Sequence, residues 1–360
     1  MCYSRGGGYE KAMLRHWVLL LIGMVVIAIA GAPLRAEADH ASGRIVAVGD
    51  LHGDFEAWKR IATGARIVDT NGDWTGGETR LVQLGDVTDR GPDSLKIIRH
   101  LQQLQAQAKA AGGGVIVLLG NHEAMNVLGD LRYVHPGEYE AFVDEKSMDR
   151  LEGTWRANKR RIVDYYRTQN EDLPTREIKR LWFGANPPGK LEHRRAWSPG
   201  GELAQWAASL PAVVKLGTSL FVHGGLSGER ALRPLSDVNS EISAALGDGD
   251  AIDRTGLEDP LGPLWYRGNV IRGESDAKRD GLDDEVARVL AYHQAERIIV
   301  GHTPSVSGIE AVSNARVVRA DTGISAHYGG VASFLEIVGS RVIANELRGN
   351  GEWISRQISE

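Results

Sequence analysis

Apart from Cys2, the 360-residue chain contains no cysteine. That excludes a thiolate nucleophile and a thiolate-held structural zinc site, and a thiol-free body suits an oxidising compartment. Excess charge of one sign is also lacking. A formal net charge of −5 and a pI near 6.1 give no footprint for a general nucleic-acid binder. Long apolar runs are missing except for one, Trp17 to Ala32, which follows Arg15 and His16. Basic flank, apolar run and the small residues at Ala30-Gly31-Ala32 or Ala36-Glu37-Ala38 predict that residues 1–38 are a secretory signal peptide. If uncleaved, the run becomes an inner-membrane anchor, the chain's one expected link to a membrane. Export to the periplasm is the expectation, with Met13 as an alternative start.

Glycine, by contrast, is plentiful, with 44 residues, several grouped beside Asp, Asn or His. Arg44–Val48 reads as a buried strand ending in Gly49-Asp50, and Arg80–Leu84 as another ending in Gly85-Asp86. Val115–Leu119 leads into Gly120-Asn121-His122, Ser219–Val222 into His223-Gly224-Gly225, and Arg297–Val300 into Gly301-His302. Amphipathic stretches with helical spacing, Phe55–Ile67 and Asp93–Gln107, lie between the early strands. This alternation predicts an α/β domain over residues 42–350, closed by the strand-like stretch Arg316–Trp353. Ligands of open α/β sheets collect beyond the carboxyl ends of strands, so five polar strand ends predict one shared site.

Residues 127–210 break the rhythm. Trp155, Trp182, Trp197 and Trp206 fall here, and basic residues outnumber acidic ones roughly two to one between Arg150 and Arg195. The gap between Asn121 and His223 is too long for an ordinary loop, which predicts a mainly helical insertion lying over the site.

Six strand-end residues are metal-ligand types: Asp50, His52, Asp86, Asn121, His223 and His302. In Asp50-Leu51-His52, residues i and i+2 would share one side of an extended segment. Asp86 has two oxygens with which to bridge two cations, and mixed oxygen and imidazole donors suit Mn, Fe or Zn.

The ordered blocks Gly49-Asp50-Leu51-His52-Gly53-Asp54, Gly85-Asp86-Val87-Thr88-Asp89-Arg90-Gly91, Gly120-Asn121-His122-Glu123, His223-Gly224-Gly225 and Gly301-His302 resemble the calcineurin-like metallophosphoesterases. Within them they resemble the phosphoprotein phosphatases, and most of all the bacterial Shewanella-like branch, over roughly Gly43 to Gly339. The resemblance implies a four-layer α-β-β-α sandwich of two mixed sheets. It implies two divalent or mixed-valence metal ions, one held by Asp50, His52 and Asp86 and the other by Asp86, Asn121, His223 and His302. A hydroxide bridging the ions would attack phosphorus directly. His122 would protonate the leaving oxygen with Asp89 orienting it, while Arg90, Asn121 and Arg267 would bind substrate phosphate. Glu123 is expected to brace backbone.

The implied substrate is a phosphomonoester on a protein or a small molecule. Serine/threonine specificity does not carry over, because Asp321-Thr322-Gly323-Ile324 replaces the loop of the best-known members. Phosphotyrosine is at least as well supported. The competing readings are a dinucleoside polyphosphate hydrolase and a non-catalytic metal-stabilised binding module.

Overall fold

The structure is a computed structural model that describes residues 43–247, 254–273, 276 and 278–359. The N-terminal segment read as a signal or anchor lies outside them. No helix among the described residues is long and apolar enough to cross a membrane.

In chain order come β1 (Ile45–Val48), α1 (Phe55–Gly64), β2 (Arg80–Gln83), α2 (Ser94–Ala110), β3 (Gly114–Val117) and α3 (Asn121–Leu128). A 3-10 helix (Pro136–Phe142), α4 (Ser147–Gln169), α5 (Thr175–Ala185), α6 (Lys190–Trp197) and α7 (Glu202–Ser209) follow. Then come β4 (Val213–Leu216), β5 (Ser219–Val222), α8 (Leu235–Gly247), α9 (Arg254–Leu257), α10 (Leu282–His293) and β6 (Arg297–Val300). The chain closes with β7 (Glu310–Val312), β8 (Val317–Arg319), β9 (Ser333–Val338), β10 (Arg341–Leu347) and β11 (Trp353–Ser359).

The strands form two mixed sheets. One has six strands in the order β11-β10-β9-β1-β2-β3, and the other five in the order β4-β5-β6-β8-β7. Strands β1, β2 and β3 pair in parallel, as do β5, β6 and β8; the outer strands join antiparallel. Alternation along β1 explains the layering. Ile45 and Ala47 face the inter-sheet core with Phe221, Ile299 and Val318, while Val46 and Val48 face the core under α1 and α2. On the far side, β5, β6 and β8 pack Leu220, Ile298 and Val317 beneath Val286 and Val289 of α10. Helices thus cover both outer faces and the expected four layers are present. The sheet runs on to Ser359, beyond the expected boundary at 350, because β11 pairs along β10.

Helix α1 buries Trp58, Ile61 and Ala62 on one face and is capped by Asp54, whose Oδ1 accepts the Ala57 N–H at 2.8 Å. Its other carboxylate oxygen accepts the Ala326 N–H at 2.8 Å, so Asp54, to which the sequence alone assigns no role, fastens two loops beside the site. Helix α2 buries Ile97, Ile98, Leu101, Leu104 and Ala108 at helical spacing. Each of the larger side chains contributes about 1.5–3 kcal/mol. Asp93 stands at its N-cap position without a side-chain cap bond.

Between β3 and β4 the described residues contain helices and no strand. Trp155, Val163 and Ile178 of α4 and α5 form a separate small core with Trp182 against it. Trp197 and Trp206 instead join the main core beside α1 and α2.

Candidate active site

The turns after β1, β2, β3, β5 and β6 meet at one end of the sandwich, and their backbones are tied together before any side chain is considered. Leu51 and His52 N–H groups both donate to the Asp86 carbonyl at 3.0 Å, and the Gly301 N–H donates to the His223 carbonyl at 2.8 Å. The Asp50 carboxylate accepts the His302 N–H at 3.1 Å, and Asp86 Oδ1 accepts the His122 N–H at 2.9 Å. Glu123 is fully buried and accepts from the N–H groups of Gly120, Asp86, Val87 and Thr88 and from the Thr88 hydroxyl, all between 2.9 and 3.1 Å. It braces the β2 turn against the start of α3, as the resemblance implies. A side chain at Gly120 would collide with Asp86 Oδ1 and its amide nitrogen, so only glycine fits there.

His52, Asp86, Asp89, Arg90 and His302 all have positive φ, between 45° and 70°. They are half of the ten such non-glycine residues described, so backbone strain is concentrated in these turns. This changes the account of Asp50 and His52. They do not converge by strand alternation, since His52 is left-handed; the turn pinned on Asp86 swings it back.

The side chains converge. His52 Nε2 lies 3.9 Å from Asp50 Oδ2 and 3.8 Å from Asp86 Oδ2, and its Nδ1 meets the Thr88 carbonyl at 3.0 Å. His223 Nε2 lies 3.3 Å from Asp86 Oδ2 and 2.9 Å from Asn121 Oδ1, with Nδ1 on the Leu84 carbonyl at 2.8 Å. Two groups of ligand atoms lie within 4.8 Å of one another: His52, Asp86 and His122, and Asp86, His223 and His302. Asp86 belongs to both. His122 Nδ1 is 2.6 Å from Asp89 Oδ2, and Asn126, one helical turn on, donates to Asp89 Oδ1 at 2.9 Å.

Arg90 lies beside this centre with its guanidinium 3.9 Å from the Tyr133 ring centroid and 5.9 Å from that of Tyr328. A cleft of about 490 Å³ opens there, lined by His52, Arg90, Pro92, His135 and His327 among others. Arg267 is exposed and reaches Thr303 Oγ1 at 3.5 Å, next to His302. All ten residues that the sequence marks as metal-binding, catalytic or phosphate-binding therefore lie at this site. Asn126, Tyr133, Tyr328 and Asp321 join it without having been assigned a part; only Asn126 carries a sequence signal, its i+4 spacing from His122.

Electrostatics mark the centre as made for cations. Burial, with Asp321 and Asp86 nearby, pushes the Asp50 carboxyl well up. Burial pushes Asp321 up to about 6 and pulls His52 down to about 3. Burial also pushes Asp86 upward, but His223 and His122 outweigh it and hold it low. His302 Nε2 is buried without a hydrogen-bond partner. Buried carboxylates beside an unpartnered imidazole nitrogen fit bound cations and hard-to-borderline donors.

A mixed two-sheet sandwich with an Asp- and His-rich centre at its strand ends defines a metal-dependent hydrolase of phosphate esters. The calcineurin-like phosphoesterase family model matches residues 43–306, and the chain belongs to that family. It is 32% identical to Shewanella-like protein phosphatase 2 of Arabidopsis thaliana over 78% of this chain and 71% of that one. Shewanella-like protein phosphatase 1 of Plasmodium berghei is 28% identical over 79% and 68%. The crystal structure of a cold-active protein-tyrosine phosphatase from a psychrophilic Shewanella matches with a TM-score of 0.62 and 25% identity, covering 87% of this chain and 80% of that one. Family and ligand clusters together point to divalent-metal binding.

Proposed function

We propose that the chain is a binuclear phosphomonoesterase acting on phosphoproteins, with phosphotyrosine among its substrates. The observation that carries the reading is the His122–Asp89 pair, bonded at 2.6 Å and facing Asp86 Oδ2 at 3.9 Å. A module that only held metal would have no need of Asp89, which lies in neither group of ligand atoms. Phosphotyrosine is supported by the likeness to the Shewanella protein-tyrosine phosphatase and by the aromatic rings of Tyr133 and Tyr328 beside Arg90.

In this reading Asp50, His52 and Asp86 hold one ion and Asp86, Asn121, His223 and His302 hold the second, of the Mn, Fe or Zn class. Bound there, the ions supply a water of lowered pKa and neutralise phosphate charge. His122 is close enough to that centre to be a ligand itself. We assign it instead as the general acid, because Asp89 fixes its Nδ1 and leaves Nε2 turned to the centre. Burial pulls the imidazole down, but the Asp86 charge and the Asp89 hydrogen bond outweigh it and raise it above its ordinary value. Arg90, held over the Tyr133 ring, would clamp phosphate oxygens together with Arg267 and the Asn121 amide.

The insertion at 127–210 then acts as a cap that shapes substrate choice, and residues 1–38 as an export signal or anchor that places the enzyme in the periplasm. The test is a metal-reconstituted panel comparing phosphotyrosyl, phosphoseryl and phosphothreonyl peptides, a dinucleoside tetraphosphate and a phosphodiester. Preference for the dinucleotide would sink the phosphomonoesterase reading. Fractionation of cells expressing the full chain tests export.

A further inference from the structure

The insertion carries one buried carboxyl that the proposed reaction does not use. Glu138, on the 3-10 helix, is 1% exposed. Its Oε2 accepts the Ser94 hydroxyl at 2.9 Å, and Ser94 Oγ in turn accepts the Asp89 N–H at 3.2 Å. Its other oxygen lies 3.4 Å from His193 Nε2 on α6. Ser94, Asp89 and His193 have no exposed surface. A buried hydrogen-bonded chain therefore runs from the 3-10 helix, through the first residue of α2, to the residue that orients His122, while His193 lies against its far end without a hydrogen bond to it.

We propose that Glu138 is a positioning residue for the His122–Asp89 pair, acting through Ser94. The inference rests on the general-acid reading of His122.

The physical argument starts from the hydroxyl. Ser94 has a single proton to give, and Glu138 takes it. That leaves the oxygen lone pairs facing the Asp89 N–H, which has no partner in a helix or strand. The hold matters because Asp89 and Arg90 have φ of 70° and 68°, two consecutive non-glycine residues in the left-handed region. Such a pair stays in place only where its surroundings over-determine it. The Asp89 carboxylate is fastened by Asn126 and His122, and its amide by Ser94; the Arg90 amide donates to the Tyr133 carbonyl at 2.9 Å. Glu138 is itself fixed. His135 Nδ1 accepts the Gly137 N–H at 3.0 Å at the start of its helix. Tyr139 and Phe142 meet the edges of the His193 ring at centroid distances of 5.2 and 5.0 Å. Remove the carboxyl, and the Ser94 hydroxyl is free to rotate and offer its proton elsewhere. The Asp89 turn then loosens, and His122 loses the orientation on which proton delivery depends.

General-acid assistance matters most when the leaving alcohol is a poor leaving group. The metal-loaded full chain would therefore be assayed on phenyl phosphate, with its weakly acidic phenol, and on p-nitrophenyl phosphate. Glu138→Ala is expected to lower kcat on phenyl phosphate about tenfold and on p-nitrophenyl phosphate only about twofold, with KM and metal content near those of the parent. Glu138→Gln keeps an oxygen that accepts from Ser94, so it restores most of the loss. Ser94→Ala cuts the same link without touching Glu138, should the first variant fold poorly, and the same split is expected. Equal losses on both substrates, or none, would overturn the inference and leave Glu138 a packing residue. His122→Asn separates the two layers. If it shows the leaving-group split and the Glu138 and Ser94 variants do not, only this inference falls. If it shows no split, the general-acid reading falls and takes this one with it.

Discussion

His122 Nδ1 sits 2.6 Å from Asp89 Oδ2, both side chains buried, with the other imidazole nitrogen turned toward Asp86. This bond separates the site from a plain metal cage. Replacing His122 by Asn is expected to lower kcat about 10²–10⁴-fold while leaving metal content intact. Steady-state kinetics paired with elemental analysis checks this, and unchanged turnover would remove His122 from the reaction.

Asp86 and Asp89 are three residues apart in sequence and differ in kind. Asp86 lies in both groups of ligand atoms, whereas Asp89 lies in neither. Asp86→Asn should strip metal from the isolated protein, and Asp89→Asn should keep it while losing turnover. Equal metal content in the two variants would refute the shared-ligand assignment.

The Arg90 guanidinium lies over the Tyr133 ring, 3.9 Å from its centroid. Lysine cannot stack a flat cation or present a fork to phosphate. Arg90→Lys is therefore expected to lose about as much kcat/KM as Arg90→Ala, roughly ten- to a hundredfold, and Tyr133→Leu a smaller part of it. Full recovery with lysine would show that charge alone suffices.

Legibility follows chemistry. Asp50, Asp86, Asn121, His223 and His302 are readable because each follows a short apolar strand, the first three on one sheet and the two histidines on the other, and parallel strands present their carboxyl ends at a common edge. The route to His52 is not. Alternation is a property of extended backbone, and the left-handed φ of His52 depends on the Asp86 carbonyl across the turn. Asp54 caps α1 locally through Ala57, but its place beside the site is opaque because its bond to Ala326 joins positions 272 residues apart. Tyr133 and Glu138 carry no motif at all. They matter only because the first segment of the insertion passes behind Asp89, and no local pattern encodes that path.

Glu138 also predicts a pH dependence. Burial and the negative charge of Asp89 push its carboxyl up to about 8, from an ordinary 4.5. Between those values the folded chain keeps a proton that the unfolded chain gives up, so this group makes stability fall as pH rises. His193 works in the opposite sense. Burial pulls it down to about 4 from 6.5, so stability rises with pH in that interval and no further. From about pH 6.5 to 8 the Glu138 contribution is expected to stand out from that of His193, at no more than about 1.4 kcal/mol per pH unit. Urea unfolding of the metal-loaded protein at several pH values measures it. Glu138→Gln should flatten the slope, and an identical slope would refute the assignment.

Glu123 has no direct part in chemistry, yet four amides and a hydroxyl depend on it. Glu123→Ala leaves those donors unpaired in a dry interior, at a cost of about 3 kcal/mol or more. A chemical denaturation midpoint close to that of the parent would argue that water replaces the carboxylate.

The same bracing has a consequence for deuterium exchange. The turns after β1 and β2 contain no regular secondary structure, and surface loops usually surrender their amide protons soon after dilution into heavy water. Here the amides of Leu51, His52, Asp86, Val87, Thr88 and His122 are all bonded to buried acceptors. They would exchange on the timescale of the central strands, so the slowest-labelling loops of the protein would trace its active site.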